Sequence, residues 1–247
     1  MLLAMNTDLF LAALATGDPM RAAFRCAVIA AICALGLIAT GQEAKYSVKA
    51  AKNPPPKELD EAISKLLAEE SILFVDASGK TVAEFWFRTA IPADATPDQI
   101  KNGVTYKEIK QSELFGAVRF EQNYTDYRQQ KVKAGVYTLR LAYQPMDGDH
   151  AGKSPELNFL LVQKADKDKS AGLQDPKKMF ELSSASINTG HAGVFMLFAA
   201  KPADSPEFVS KANNHWALTT KSEVTTGGKK TGAFLGIALT LVGHAEE

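Results

Sequence analysis

Cysteine is nearly absent from this chain of 247 residues. Its only two cysteines, Cys26 and Cys33, lie in the apolar run of residues 26–39, "CAVIAAICALGLIA", which follows Arg21 and Arg25. Basic residues, a short apolar core and then small residues are the pattern of a secretory signal peptide. The mature chain therefore has no thiol for a disulfide, for thiol catalysis or for a cysteine-ligated metal such as a cupredoxin copper.

A long hydrophobic run is also missing. A helix that spans a bilayer needs about 20 apolar residues, and the run of residues 26–39 is shorter. Residues 1–41 are therefore predicted to be a signal peptide, with a retained membrane anchor as the alternative. Met20 is the expected true start, because Asp8 and Asp18 precede it and the start of a signal should be basic. The predicted location is the periplasm or the extracellular space, without a stable membrane span.

Neither sign of charge is in excess. Lysine and arginine together number 28, and so do aspartate and glutamate. No basic stripe with interleaved aromatic residues appears, so nucleic acid is excluded as a predicted partner. A small molecule, a glycan or another protein are the partner classes that stay open.

The common catalytic motifs are missing as well. The sequence contains neither "HExxH" nor "GxSxG", and its two Gly-Lys-Ser/Thr steps lack the glycine that begins a phosphate-binding loop. The first functional hypothesis is therefore an exported, non-catalytic binding or structural module. Whether the protein is an enzyme stays open.

The segment that follows the leader is rich in proline. The prolines of "KNPPPKE" lack backbone donors and fix φ, so residues 42–56 are predicted to be a flexible tether. The next stretch, "PKELDEAISKLLAEE", predicts one amphipathic helix over residues 57–69 that covers a sheet. Its apolar face consists of Leu59, Ile63, Leu66 and Leu67.

From Ser71 onward the hydrophobic period switches to two. "SILFVD" and "TVAEFWFR" flank the turn "ASGK" and predict a β-hairpin. Further strands are predicted at "TYKEIK", "GAVRFEQ", "GVYTLRLAY", "LNFLLVQ", "GVFMLFA" and "HWALTTKSEVTT". The last strand, "AFLGIALTLVGH", places Gly236 and Ala238 on one face, which indicates close packing against a second sheet. Residues 57–247 are thus predicted to form an all-β domain, a mainly antiparallel two-sheet β-sandwich of roughly nine strands preceded by one short helix.

A polar loop follows the clearest of these strands. "QPMDGDHAG", residues 144–152, contains Asp147, Asp149 and His150, and His191 lies in "NTGHAG" before a later strand. Because strand ends of a sandwich cluster at two poles, these side chains are expected to meet and to bind a divalent metal such as zinc, copper, nickel or iron. This second hypothesis is a metal-binding protein or metal-dependent enzyme. The alternative is that the aspartates only stabilise a turn.

Histidine and tryptophan are two further residue types that can bind a ligand. His215 and His244 adjoin predicted strands and are interpreted as structural and as solvated, respectively. Trp86 and Trp216 have rings on which a sugar can stack, which gives a third hypothesis, a carbohydrate-binding module. Packing within the core or at a sheet edge is the alternative for both tryptophans.

Four stretches carry a resemblance to a known family: "EFWFR", "DYRQQKVKAGVYTLRLAYQPMDGDH", "HAGVFMLF" and "LGIALTLVGH". Over about residues 70–245 the chain resembles a family of uncharacterised exported β-sandwich proteins of planctomycete-like environmental bacteria. The phrase "KAGVYTL" is also similar to transthyretin-like and carboxypeptidase-regulatory modules at the level of the fold. These resemblances imply export and a sandwich, and they carry over no catalytic residue.

Overall fold

The computed structural model describes residues 45–145 and 154–245, and most of them belong to one curled sheet. The described residues lie in a single compact unit, Ala44–Glu247. The strands are β1 Tyr46–Ala51, β2 Ser71–Asp76, β3 Thr81–Phe87, β4 Ala90–Pro92, β5 Leu114–Phe120, β6 Tyr124–Thr125, β7 Lys131–Val132, β8 Gly135–Tyr143, β9 Asn158–Lys164, β10 Val194–Phe198, β11 Glu207–Ser210, β12 Trp216–Thr226 and β13 Lys229–Val242. The helices are α1 Glu61–Ser64, α2 Pro97–Asn102 and α3 Pro176–Ile187, with a 3₁₀ helix at Tyr106–Glu108.

Ten strands follow one another in a single sheet. Their order is β1-β2-β3-β5-β8-β9-β10-β13-β12-β11, every neighbouring pair is antiparallel, and β4 adds an eleventh, parallel strand beside β12. A separate small sheet pairs β6 with β7. The two edge strands, β1 and β11, lie near each other, and the rings of Phe74 in β2 and Phe208 in β11 are 5.3 Å apart between centroids. The sheet therefore curls around its own inner face.

The predicted two-sheet sandwich is wrong. The alternation of apolar residues identifies which face of each strand is buried, but it does not determine which strands share a ladder. Here one continuous mixed sheet bends until its inner face encloses the main core, so a second sheet is not required to cover it. That core takes residues from nearly every strand, including Phe74, Phe85, Val118, Leu139, Leu160, Leu197, Leu218 and Leu239.

The predicted β-hairpin and the final strand are confirmed, with one difference in what the final strand packs against. β2 and β3 pair antiparallel across residues 77–80. In β13, Leu235 and Ile237 face the core as expected, but Gly236 packs against the backbone of Ala200 and Lys201 and not against another sheet. A Cβ at Gly236 would lie 2.3 Å from the carbonyl oxygen of Ala200.

The predicted helix over residues 57–69 covers the sheet but is much shorter than expected. Asp60 accepts a hydrogen bond from the backbone of Ala62 at 3.0 Å, so the helix begins only after this cap. After Ser64 the chain turns, and Leu67 forms an isolated bridge with Arg88. Leu59, Ile63 and Leu67 nevertheless pack against Trp86 on the outer face. No helix within the described part of the chain has the length and apolar character needed to cross a membrane.

Several segments differ from the sequence expectations. Residues 46–51, placed in a flexible tether, instead form β1, because the prolines that exclude a central strand begin only at residue 54. "TYKEIK", predicted as a strand, contains the 3₁₀ helix, whose start is capped by Thr105 and Glu108. Neither helix α2 nor helix α3 was predicted.

A buried polar network fastens the loop after β9 to the outer face of the sheet. Nε and Nη2 of Arg140 donate to the two carboxylate oxygens of Asp168 at 2.7 and 3.0 Å. Nη1 of Arg140 donates to the carbonyl oxygens of Ser112 and Gly172 at 2.8 and 2.9 Å. The hydroxyl of Thr138 donates to Asp168 at 2.7 Å. Because both charged groups are fully buried and well bonded, this network is structural.

The side chain of Tyr143 joins the end of β8 to the segment of the 3₁₀ helix, and its phenol is expected to make the stability of the fold depend on pH. Its hydroxyl donates to the carbonyl oxygens of Tyr106, at 2.7 Å, and Ile109. Burial, with a smaller contribution from the charge of Glu108, raises the pKa of Tyr143 to about 12. The phenol therefore ionises near its ordinary pKa of about 10 in the unfolded chain and only at higher pH in the folded one.

We expect the free energy of unfolding to fall as pH rises from about 10 to about 12, because the unfolded chain loses this proton first. Tyr143→Phe should reduce the slope of that fall. The measurement is urea unfolding at a series of alkaline pH values, with each variant compared with its own value at neutral pH. Equal slopes for the two proteins would contradict the assignment.

Candidate functional site

The structure covers only one of the four predicted metal ligands. Asp147, Asp149 and His150 lie outside the described residues, and His191 is described and exposed, between α3 and β10. Within residues 45–145 and 154–245, no three histidine, cysteine, aspartate or glutamate side chains come together as a group that could hold a metal ion. The metal site therefore stays a prediction.

Tyr127 joins the chain segments that carry the described histidines. Its backbone N–H donates to the carbonyl oxygen of Val194 at 2.8 Å, and its own carbonyl oxygen accepts from the backbone of Ala245 at 2.9 Å. His191 precedes Val194 by three residues, and His244 directly precedes Ala245. The segments of these histidines thus approach one place in the fold, although the side chains of His191 and His244 are both exposed.

Asp126 holds Tyr127 in this position. Its carboxylate accepts hydrogen bonds from the backbone of Val194 at 3.0 Å, of Arg128 at 2.9 Å and of Gln130 at 2.8 Å. Burial raises the pKa of Asp126, while the hydrogen bonds from Val194 and Gln130 act in the opposite direction. The carboxylate therefore serves as an anchor for the turn that carries Tyr127.

His215 lies beside Tyr127 and is the most unusual polar residue of this region. Only 3% of its surface is exposed, and its Nδ1 lies 2.9 Å from the carbonyl oxygen of Ala212. We assign the ring proton to Nδ1, which donates to that oxygen, so Nε2 carries a lone pair. Among the described residues Nε2 is buried and has no hydrogen-bond partner.

The surroundings of His215 are mostly aromatic and tightly packed. The rings of Tyr127 and Phe198 have their centroids 5.6 and 5.9 Å from the imidazole. Gly243 has φ +110°, and a Cβ at this position would lie 2.4 Å from Cδ2 of His215. Only glycine therefore fits against this face of the imidazole. Sequence reasoning assigned His215 a structural role, because neither its burial nor its unpaired nitrogen is visible in the pattern around it.

Charged side chains border the same region. The ammonium group of Lys211 lies 5.7 Å from the centroid of the Phe198 ring. Burial raises the pKa of Glu156, and the positive charge of Lys211 acts in the opposite direction. The hydroxyl of Ser154, the first described residue after the predicted metal loop, lies 3.3 Å from Sδ of Met196. The C-terminal flank of that loop thus reaches the cluster formed by Tyr127, Phe159 and Met196.

The two tryptophans of the carbohydrate hypothesis have different surroundings. Trp86 is 1% exposed, its Nε1 donates to the carbonyl oxygen of Asn53 at 2.8 Å, and the guanidinium of Arg119 lies 5.8 Å from its ring centroid. Trp86 therefore presents no open ring face on which a sugar can stack. Trp216 is partly buried and stacks on Phe208 at 5.5 Å, so the carbohydrate hypothesis now depends on this second ring.

Comparisons with known proteins add no further assignment. No protein-family model, no curated protein and no solved structure matches the chain. The resemblance to exported bacterial proteins therefore stays a prediction.

Proposed function

We propose that the protein is an exported, non-catalytic binding module, and that His215 is the anchor of its ligand site. The observation that supports this proposal is the buried Nε2 of His215, which no described residue pairs. A buried polar atom left without a partner costs about 1–3 kcal/mol. A ligand that supplies the missing partner would recover that free energy on binding.

A divalent transition-metal ion is the ligand that fits this nitrogen best. Metal-binding histidines commonly donate one ring N–H to a backbone carbonyl, which fixes the tautomer and points the other nitrogen at the metal. The bond from His215 to Ala212 has this form. The sequence offers Asp147, Asp149, His150 and His191 as candidates for the other ligands. Export itself rests on the predicted leader.

The test is a calorimetric titration of the full chain, without a histidine tag, with Zn²⁺, Cu²⁺ and Ni²⁺ after removal of bound metal with a chelator. His215→Asn keeps a donor for Ala212 but lacks Nε2, so it should bind the preferred ion at least about tenfold more weakly than wild type. His244→Ala is the matched control, because it removes a nearby exposed imidazole and should leave the affinity unchanged.

Two outcomes would refute the metal proposal. One is the absence of heat and of any rise in Tm with all three ions for the wild-type chain. The other is equal affinity of wild type and His215→Asn when both have similar Tm values. In the second case His215 is a packing residue, and its unpaired nitrogen has no role in binding.

A further inference from the structure

A cleft on the outer face of the sheet lies between the proline-rich segment and strands β3 and β5. Its volume is about 560 Å³, within the range of small-molecule sites. One wall is formed by residues 53–58, and the other by Glu84, Trp86 and Arg119. The cleft shares no lining residue with the region around His215, so its ligand is independent of the function proposed above.

Two anchors and the intervening prolines give the cleft its shape. Asn53 is held at one end, because its carbonyl oxygen accepts from Trp86 at 2.8 Å and its amide donates to Glu84 at 2.7 Å. At the other end Pro56 is buried, and its carbonyl oxygen accepts from the backbone of Leu59 at 3.2 Å. The prolines between these anchors have no N–H with which to join the sheet. The segment therefore stands as a wall instead of continuing as a strand.

Glu84 is a buried carboxylate without a positive partner. It is 6% exposed, and its Oε1 accepts from the hydroxyl of Ser71 at 2.6 Å and from the amide of Asn53 at 2.7 Å. Both donors are neutral, and no described cationic side chain forms an ion pair with this carboxylate. Buried charges in proteins are usually paired, so the cleft is lined by an uncompensated acid.

Arg119 lies opposite Glu84 in the sheet but does not form an ion pair with it. Arg119 is the register partner of Glu84 across the β3–β5 ladder, a position from which opposite charges normally interact. Its guanidinium instead lies over the ring of Trp86 and reaches the carboxylate of Glu58 at 3.4 Å. Arg119 is thus held at the rim. Lys57, the other cationic residue that lines the cleft, is exposed and forms no ion pair with Glu84 among the described residues, so the position next to Glu84 is left to a ligand.

We propose that this cleft binds a small organic cation, a compound whose ammonium group pairs with the carboxylate of Glu84. An ammonium group carries three donors and no acceptor, which suits a carboxylate that already has neutral donors on one oxygen. Glu58 at the rim is already paired with Arg119, so Glu84 is the carboxylate that is open to a ligand. The favoured ligands are therefore small compounds that carry an ammonium group.

The test is a nuclear magnetic resonance titration of the full chain with 1,4-diaminobutane. The chain has two tryptophans, and Trp216→Phe assigns the two indole N–H resonances. Because the indole of Trp86 is bonded to the wall of the cleft, its resonance should shift saturably with the diamine, and that of Trp216 should not. This readout needs no change to the cleft itself.

Glu84→Gln tests the role of the charge. Glutamine keeps an oxygen that can accept from Ser71 and Asn53, so the cleft should retain its shape and the affinity for the diamine should fall at least about tenfold. Glu61→Gln, which removes an acid whose side chain is 81% exposed and lies outside the cleft, should leave the affinity unchanged. Absence of a saturable shift at Trp86 would overturn the proposal. So would equal affinity of Glu84→Gln, or binding of succinate or Ca²⁺ in place of the diamine.

Discussion

Replacing Arg140 by methionine is expected to lower the free energy of unfolding by about 3–5 kcal/mol, the range observed when one partner of a buried ion pair is removed. The reason is the position of Asp168, which is fully buried and bonded through both oxygens to the guanidinium. Without Arg140 its charge has only neutral donors among the described residues, namely Thr138, Gln174 and the backbone of Ser170. The carbonyl oxygens of Ser112 and Gly172 lose their donor at the same time.

A double-mutant cycle separates the interaction between Arg140 and Asp168 from the separate effects of removing each side chain. Arg140→Met with Asp168→Leu removes both charges, and we expect the double variant to be more stable than Arg140→Met alone, because no charge is then left buried and unpaired. Urea unfolding of the four proteins gives the coupling free energy. If the two single changes add without coupling, the ion pair is not what holds the loop after β9.

The second large effect is expected at Gly236. A methyl group at this position would lie 2.3 Å from the carbonyl oxygen of Ala200 and 2.6 Å from the carbonyl carbon of Lys201. Both are backbone atoms, so the backbone at Ala200 and Lys201 must move. Gly236→Ala should therefore destabilise the fold by about 1–3 kcal/mol, as overpacking does in other cores.

Gly190→Ala is the matched control for this change. Nothing lies within 4 Å of the position that its Cβ would take, so the same chemical change should alter the free energy of unfolding by no more than about 0.5 kcal/mol. Thermal and urea unfolding of the two variants give the comparison. A loss at Gly190 as large as that at Gly236 would mean that crowding by Ala200 is not the cause.

The sequence predicted strand faces well because alternation reports burial directly. In β8, Tyr137, Leu139 and Leu141 face the core as their spacing indicates. The order of the strands was not predictable in this way, since the same alternation suits a sandwich and a curled sheet. A sandwich and a curled sheet differ in which strands pair with each other, for example β10 with β13. The pattern of a single strand carries no information about its pairing partner.

Helix α3 was missed for a physical reason that its own side chains show. Two of the residues that it buries are Ser183 and Ser186, which a hydrophobic pattern counts as polar. Ser183 exchanges hydrogen bonds with the backbone of Gly193, and Ser186 accepts from the backbone of Lys164. The two serine hydroxyls can therefore be buried because backbone groups of β9 and of the residue before β10 pair with them. A sequence pattern does not show such pairing.

The candidate sites were also only partly visible in the sequence. The alternation in β3 predicts that Glu84 faces outward into solvent. The side chain is buried because residues 53–58, about 30 positions earlier in the chain, form the opposite wall of the cleft. The sequence shows that His215 begins a strand, but not that Gly243 packs directly against its imidazole. In both cases a distant segment covers a polar group, and only the folded chain shows it.

The proximity of β1 and β11 has a consequence for the time course of folding. These strands come from opposite ends of the described chain, so the last step of sheet closure must join segments separated by most of the polypeptide. Bringing residues of such long sequence separation together costs conformational entropy before their contacts form and stabilise the fold, so contacts of this kind are associated with slow folding. The newly made chain should accordingly stay open until its C-terminal hairpin, β12 and β13, has been synthesised.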